Sequence, residues 1–203
     1  MSIINGTYYS GDINLTSDQI TNITDSWQDV YEEMILKKLL GYNLYALYVA
    51  DLALDVAGSP TAQRFIDLVD GKAFTFDYGG NTISTKWMGL RDSTLSKSLI
   101  AYYVYYNFRN ETEEFNSGAG QVNSATENST KVDVRPKLIS TQNKMIDLYG
   151  YIPYKSVYNW NENIDTYIHY NKLPSAYNFL LANKETYPEW VFEPIETHNI
   201  WGI

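Results

Sequence analysis

The sequence predicts a mainly α protein: a helix bundle with a β-hairpin insertion, a long polar arm between the last core helices and an extended C-terminal tail. Three observations carry that expectation. Apolar residues recur at three- and four-residue spacings through most of the chain, the signature of helices with one buried face. One stretch, Lys72 to Trp87, changes to strict alternation. Residues 116 to 130 are small and polar with Glu127 as their single charge, too little apolar surface to build a core.

The elements follow in order. Residues 1 to 15 read as extended segments with turns at Asn5-Gly6 and Gly11-Asp12. Thr16 to Gln19 has the form of a capping box, in which a hydroxyl accepts from the third amide and the glutamine reaches back. Ile20, Ile23, Trp27, Val30 and Met34 then form one apolar stripe, and Gly41 reads as a terminator. A second helix runs from Tyr42 to about Val56, with Leu44, Leu47, Tyr48 and Leu52 on one side, and a short one covers Ala62 to Val69 before Gly71. The hairpin turns at Gly79-Gly80-Asn81, with Phe74, Phe76 and Tyr78 alternating on one strand and Ile83, Thr85 and Trp87 on the other.

An aromatic helix from Leu95 to Arg109 comes next, capped by Asp92 or Ser93. Leu95, Leu99, Tyr102 and Tyr106 are its expected buried stripe, which leaves Tyr103, Tyr105 and Phe108 for contact elsewhere. A helix apolar nearly all round must be covered on several sides, by its own domain or by a partner. The arm follows, and Pro136 opens a returning helix with Ile139, Gln142, Met145, Ile146 and Tyr149 inward. Residues 151 to 173 show no clear period, and Pro174 to Glu185 reads as a last helix with Tyr177, Leu180 and Leu181 inward. The tail from Tyr187 to Ile203 holds large apolar groups that need a groove to lie in. This divides the chain into a helical domain, 1–150, and a C-terminal extension, 151–203.

The composition limits function. With 203 residues and 44% hydrophobic content the chain can bury a sizeable core. A net charge of −9 disfavours gripping nucleic acid, which needs Lys and Arg to displace counterions. The absence of cysteine removes disulfides, thiolate catalysis and zinc–thiolate sites. The first residues have neither a basic n-region nor an apolar h-region, so no secretory signal is expected, and no stretch reaches the ~20 apolar residues of a membrane span. Nineteen tyrosines suit a core, an interface or a sugar-stacking surface equally.

Motifs of chemistry are weak. Asp12, Asn14, Thr16 and Asp18 begin like a calcium loop, but Ser17 and Ile23 stand where Gly and Glu are needed. His169 and His198 have no metal-ligand spacing. The adjacent pairs Glu32-Glu33 and Glu113-Glu114 diverge on a helix and read as solvated faces. There is no nucleophile elbow and no dinucleotide loop. No enzyme, cofactor or metal is expected.

The order of Lys37-Lys-Leu-Leu-Gly-Tyr-Asn-Leu-Tyr45, Trp87-Met-Gly-Leu90, Ala101-Tyr-Tyr-Val-Tyr-Tyr106, the polar arm, Leu148-Tyr149 and Asn199-Ile-Trp-Gly-Ile203 resembles the head-to-tail connector (adaptor, neck-ring) proteins of crAss-like and related tailed bacteriophages. The resemblance implies a structural virion protein at the neck, assembled in the host bacterial cytoplasm. It implies a ring, commonly of twelve subunits, docked on the portal protein or an adjacent neck or tail protein, with DNA passing through its lumen unbound. On that reading Gly118, Gly120, Gln121, Val122, Asn123, Thr126 and Asn128 of the arm, with Tyr103 and Tyr105, are expected at the subunit interface. Trp190, Phe192, Ile195, Ile200, Trp201 and Ile203 are expected to anchor the tail on a partner. The alternative is an aromatic carbohydrate-binding or tail-receptor module, read from the tyrosine and tryptophan content.

Overall fold

In the computed structural model, which describes residues 2–78, 81–112, 114–117, 120–123, 135–150 and 174–195, the chain is mainly helical with small antiparallel hairpins, as the sequence predicts. Two single 3-10 turns, Gly6–Tyr8 and Gly11–Ile13, shape the N-terminal segment. Helix α1 (Ser17–Ser26) starts on the expected capping box: the Gln19 amide donates to Thr16 Oγ1 and the Thr16 amide to Gln19 Oε1.

The predicted stripe from Ile20 to Met34 is corrected at Trp27. The helix restarts there as α2 (Gln28–Leu52), and the new phase buries Gln28, Glu32, Ile35, Leu36 and Leu39 instead. Val30 and Met34 are exposed. Trp27 holds the junction, its ring stacked on Tyr31 at 5.8 Å and edge-on to Phe108 at 5.6 Å.

Gly41 breaks α2 into two limbs. Its φ of 73° and ψ of 163° lie outside the helical region, a conformation that favours glycine. Leu44 and Tyr48 of the second limb face the core, whereas Leu47 is exposed. Asp51 then pins the entry to α3 (Gln63–Asp70), accepting from the Thr61 amide at 2.7 Å and the Ala62 amide at 2.9 Å.

Strands β1 (Lys72–Tyr78) and β2 (Asn81–Trp87) pair antiparallel in the expected hairpin, with Phe74 opposite Thr85 and Phe76 opposite Ile83. The Trp87 indole N–H donates to the Leu68 carbonyl at 2.9 Å and the Leu90 amide to the same oxygen at 3.2 Å, which satisfies a buried carbonyl in the last turn of α3. A short pair, β3 (Arg91–Asp92) and β4 (Lys97–Ser98), leads into the aromatic helix.

That helix, α4 (Leu99–Thr112), begins four residues later than predicted. Asp92 accepts from the Thr94 and Leu95 amides in a turn, while Ser98 Oγ accepts from the Ile100 and Ala101 amides as the true cap. Leu95 is therefore outside the helix and exposed. Packing of α4 against α5, α2 and α1 covers nearly its whole circumference.

An arm hairpin, β5 (Glu114–Ser117) and β6 (Gly120–Asn123), rises from the end of α4. Helix α5 (Arg135–Tyr149) returns, burying Thr141, Gln142, Met145, Ile146 and Tyr149, with Ile139 turned outward. Helix α6 (Ala176–Ala182) is capped by Ser175 and buries Phe179 and Leu180, with Leu181 at the surface.

The boundary expected at residue 150 does not divide the core. Phe179 stacks on Trp87 at 6.1 Å and meets Phe74 edge-on at 5.5 Å, so α6 closes the face of the first hairpin. Tyr187 is fully buried in the same hydrophobic cluster as α2, α3 and α4. The reason is apolar area: the hairpin's inner face would be exposed without α6.

Candidate functional site

The tail that sequence reasoning assigns to a partner finds a groove in its own chain. The break at Gly41 ends the first limb of α2 and releases the carbonyls of Lys38, Leu39 and Leu40 from intrahelical bonding. Three donors from the tail reach them. The Trp190 indole N–H bonds to the Leu39 carbonyl at 2.8 Å, the Val191 amide to Leu40 at 3.3 Å and the Glu193 amide to Lys38 at 2.9 Å. Lys38 Nζ also pairs with Glu193 Oε1 at 2.7 Å. A Cβ on residue 41 would lie 2.6 Å from the Val191 carbonyl, so the tail crosses where only glycine leaves room.

The tail's rings extend the contact. Phe192 lies 5.1 Å from Tyr149 and 4.7 Å from Tyr177, and Trp190 lies 5.5 Å from Tyr177. The Tyr149 hydroxyl donates to the Glu193 carbonyl. Upstream, the Tyr187 hydroxyl donates to the Arg64 carbonyl at 2.6 Å, and Arg64 pairs with Glu189 at 3.2 Å.

Trp190, Phe192 and Ile195 thus pack on the core of their own chain as partly buried side chains. Their assignment as free partner anchors is corrected: the orphan helix carbonyls and the Tyr149–Tyr177 floor supply the groove in cis. Ile200, Trp201 and Ile203 lie outside the described residues. No local signal marks this site, because its two halves stand 151 residues apart.

Tyr103 and Tyr105 are also corrected. At 9% and 2% exposure they belong to the core, with Phe108, because α4 is surrounded by helices of its own chain. Tyr106, expected inward, is the partly exposed member of the series. Of the arm residues, Gly120, Gln121, Val122 and Asn123 form β6, with Val122 opposite Phe115 and Gln121 opposite Asn116. Gly118, Thr126 and Asn128 lie outside the described residues.

The carboxylates divide unexpectedly. Glu33 is exposed and pairs with Lys37. Glu32, one position earlier, is only 5% exposed, so its reading as part of a solvated face is corrected. Its carboxyl accepts from the Ser2 hydroxyl and from the Ile3 amide at 3.0 Å, tying the N-terminal segment to α2. Gln28 adds a bond to the Ile4 carbonyl, and Arg91 one to the Ile3 carbonyl. Burial pushes the Glu32 carboxyl up to about 7, opposed in part by those two hydrogen bonds.

Asp12, first member of the failed calcium loop, accepts from Lys144 at 2.5 Å, which holds its carboxyl below the usual range. Among the described residues no cluster of three potential metal ligands occurs. Tyr42 is exposed, at 77%, while Tyr8, Tyr9, Tyr48, Tyr102, Tyr149 and Tyr187 are buried. No described helix is long and apolar enough to cross a membrane. No protein family matches the chain, and no curated protein or solved structure is significantly similar to it.

Proposed function

We propose that this chain is a structural subunit of a head-to-tail connector ring of a tailed bacteriophage, docking on the portal or on an adjacent neck ring and letting DNA pass without binding it. The observation that carries this reading is the arm. A two-stranded hairpin stands between α4 and α5, the central helix pair, and pairs with itself. Beyond itself its main backbone contact is with the end of α4 that feeds it. Both outer edges of such a ribbon offer backbone donors and acceptors to a neighbouring subunit, and edge addition is a standard mode of protein contact. The net charge of −9, repeated around a ring, keeps DNA from adhering to the lumen.

Burial of most described tyrosines favours this reading over the carbohydrate-binding alternative, which needs exposed ring faces. The deciding experiment is negative-stain imaging and mass photometry of the purified protein, alone and mixed with its portal. Rings alone or on the portal are expected. Replacing Gly118 to Asn128 by a short linker should leave the melting temperature of the monomer unchanged and abolish those rings. A protein that binds glycans and joins no portal or neck protein would end the proposal.

A further inference from the structure

Gly41 divides α2 into two limbs whose outer surfaces differ in kind. On the first limb, Asp29, Glu33 and Lys37 share the exposed face with Val30 and Met34. On the second, every exposed side chain from Tyr42 to Leu54 is uncharged, and Asn43 is the only amide among hydrocarbon and aromatic groups. At about 100° per residue these positions fall in one arc of about 160°, with Leu44, Tyr48 and Asp51 buried on the opposite side. Ala46, Ala50 and Ala53 run down the middle of the arc. Tyr42, Leu47 and Val49 flank them at 77%, 40% and 42% exposure, and Leu54, at 75%, ends the row in the turn after the helix.

Area and charge say what covers this face. Its exposed residues present on the order of 600 Å², the upper end for the largest apolar patch of a monomer. Two such faces together supply about 1,200 Å², the lower bound of a standard interface, so a second copy is large enough to cover it. The chain carries a net charge of −9, and two copies repel wherever their charged surfaces meet. Here they can meet without bringing like charges together and without stripping water from any ion. A basic or acidic partner finds no complementary charge on this face. The same face, turned antiparallel, sets its large side chains beside the alanine row, and that row lets the two helix axes approach to about 8 Å.

We propose that two copies of the chain pair through this face, antiparallel along the second limb of α2, about a two-fold axis near Ala46 and Ala50. The contact is isologous and closes at two copies, unlike edge addition by the arm, which passes from one subunit to the next. It uses neither the arm nor a portal and does not rest on the connector reading. An interface of this size gives a weak, reversible dimer.

Analytical ultracentrifugation from about 1 to 300 μM tests this on the full chain and on the variant with a short linker in place of Gly118 to Asn128. A reversible dimer is expected as the first step of association in the full chain and as the last in the linker variant. Ala50→Glu and Ala50→Lys each set like charges across the axis and should each weaken the dimer about tenfold or more. An equimolar mixture of the two should restore pairing to within about threefold of the parent, as only a contact of the face with itself allows. Val30→Glu, on the exposed face of the first limb, should change it less than about threefold. A monomer throughout the range, loss of the dimer in the linker variant, equal losses from Val30→Glu and Ala50→Glu, or no restoration in the mixture would each overturn the proposal. Thermal melts of every variant confirm that the fold is intact. Rings of Ala50→Glu on the portal would keep the connector reading whatever becomes of the dimer, so the two proposals fail separately.

Discussion

Glu32 shows how one side chain couples the N-terminal segment to solution conditions. Its carboxyl is raised in the folded state, by burial first, to about 7. A group whose proton affinity is higher folded than unfolded contributes stability at low pH and loses it as pH rises through its folded value. The ordinary glutamate value is about 4.3, so the contribution declines between roughly pH 4 and 7 and is gone above that. At ~1.4 kcal/mol per tenfold change in proton affinity, the loss amounts to roughly 4 kcal/mol. Asp12, held low by Lys144, titrates below that window and does not mask the effect. Urea unfolding at pH 5 and pH 8 should therefore show the protein weaker at pH 8. Glu32→Gln, which keeps an acceptor for the Ile3 amide, should flatten that difference. An unchanged slope in the variant would place the titration elsewhere.

At the scale of elements, the break in α2 and the tail that crosses it form one unit. Gly41→Ala adds a Cβ against the Val191 carbonyl and forces a left-handed conformation on an L residue. It should cost about 2 kcal/mol or more and open the tail to proteolysis before the core unfolds. Trp190→Phe keeps a ring beside Tyr177 but loses the bond to Leu39, an expected loss of about 1 kcal/mol by denaturant titration.

These elements also show what the sequence makes legible. The Thr16–Gln19 capping box, the break at Gly41 and the Lys72–Trp87 hairpin are local, and short spacings announce them. The phase slip at Trp27 is not local. It depends on Tyr31 and Phe108 holding the ring, so a continuous stripe from Ile20 to Met34 looks sound until α4 is in place. The tail is legible as a segment needing a groove, and the groove is not, because the bonds that seat it are made mostly to the backbone oxygens of Lys38, Leu39 and Leu40. Glu32 is illegible for a related reason: adjacency to Glu33 turns the two side chains about 100° apart but does not say which of them is covered.

At the scale of the whole molecule, one core joins α2, α3, α4, the first hairpin, α6 and Tyr187. A cut at residue 150 would therefore not release an independent domain. Deleting Trp190 to Ile203 removes three bonds to α2 carbonyls and uncovers Tyr149 and Tyr177. Calorimetry should show the melting temperature lowered by roughly 10 °C, at about 2–4 °C per kcal/mol for a chain of this size. An unchanged melting temperature would mean that the tail contacts add nothing to the fold.

The capping of α2 by Trp190 has a consequence for the order of folding. The helix end exposes its carbonyls as soon as Gly41 leaves the ribosome, and the indole that satisfies one of them lies 151 residues later. Contacts of such long sequence separation form late, because the loop they close must be ordered first. Until Trp190 is made, the first limb of α2 therefore has only water for the Leu39 carbonyl, and the arrival of the tail replaces that water and covers the helix end.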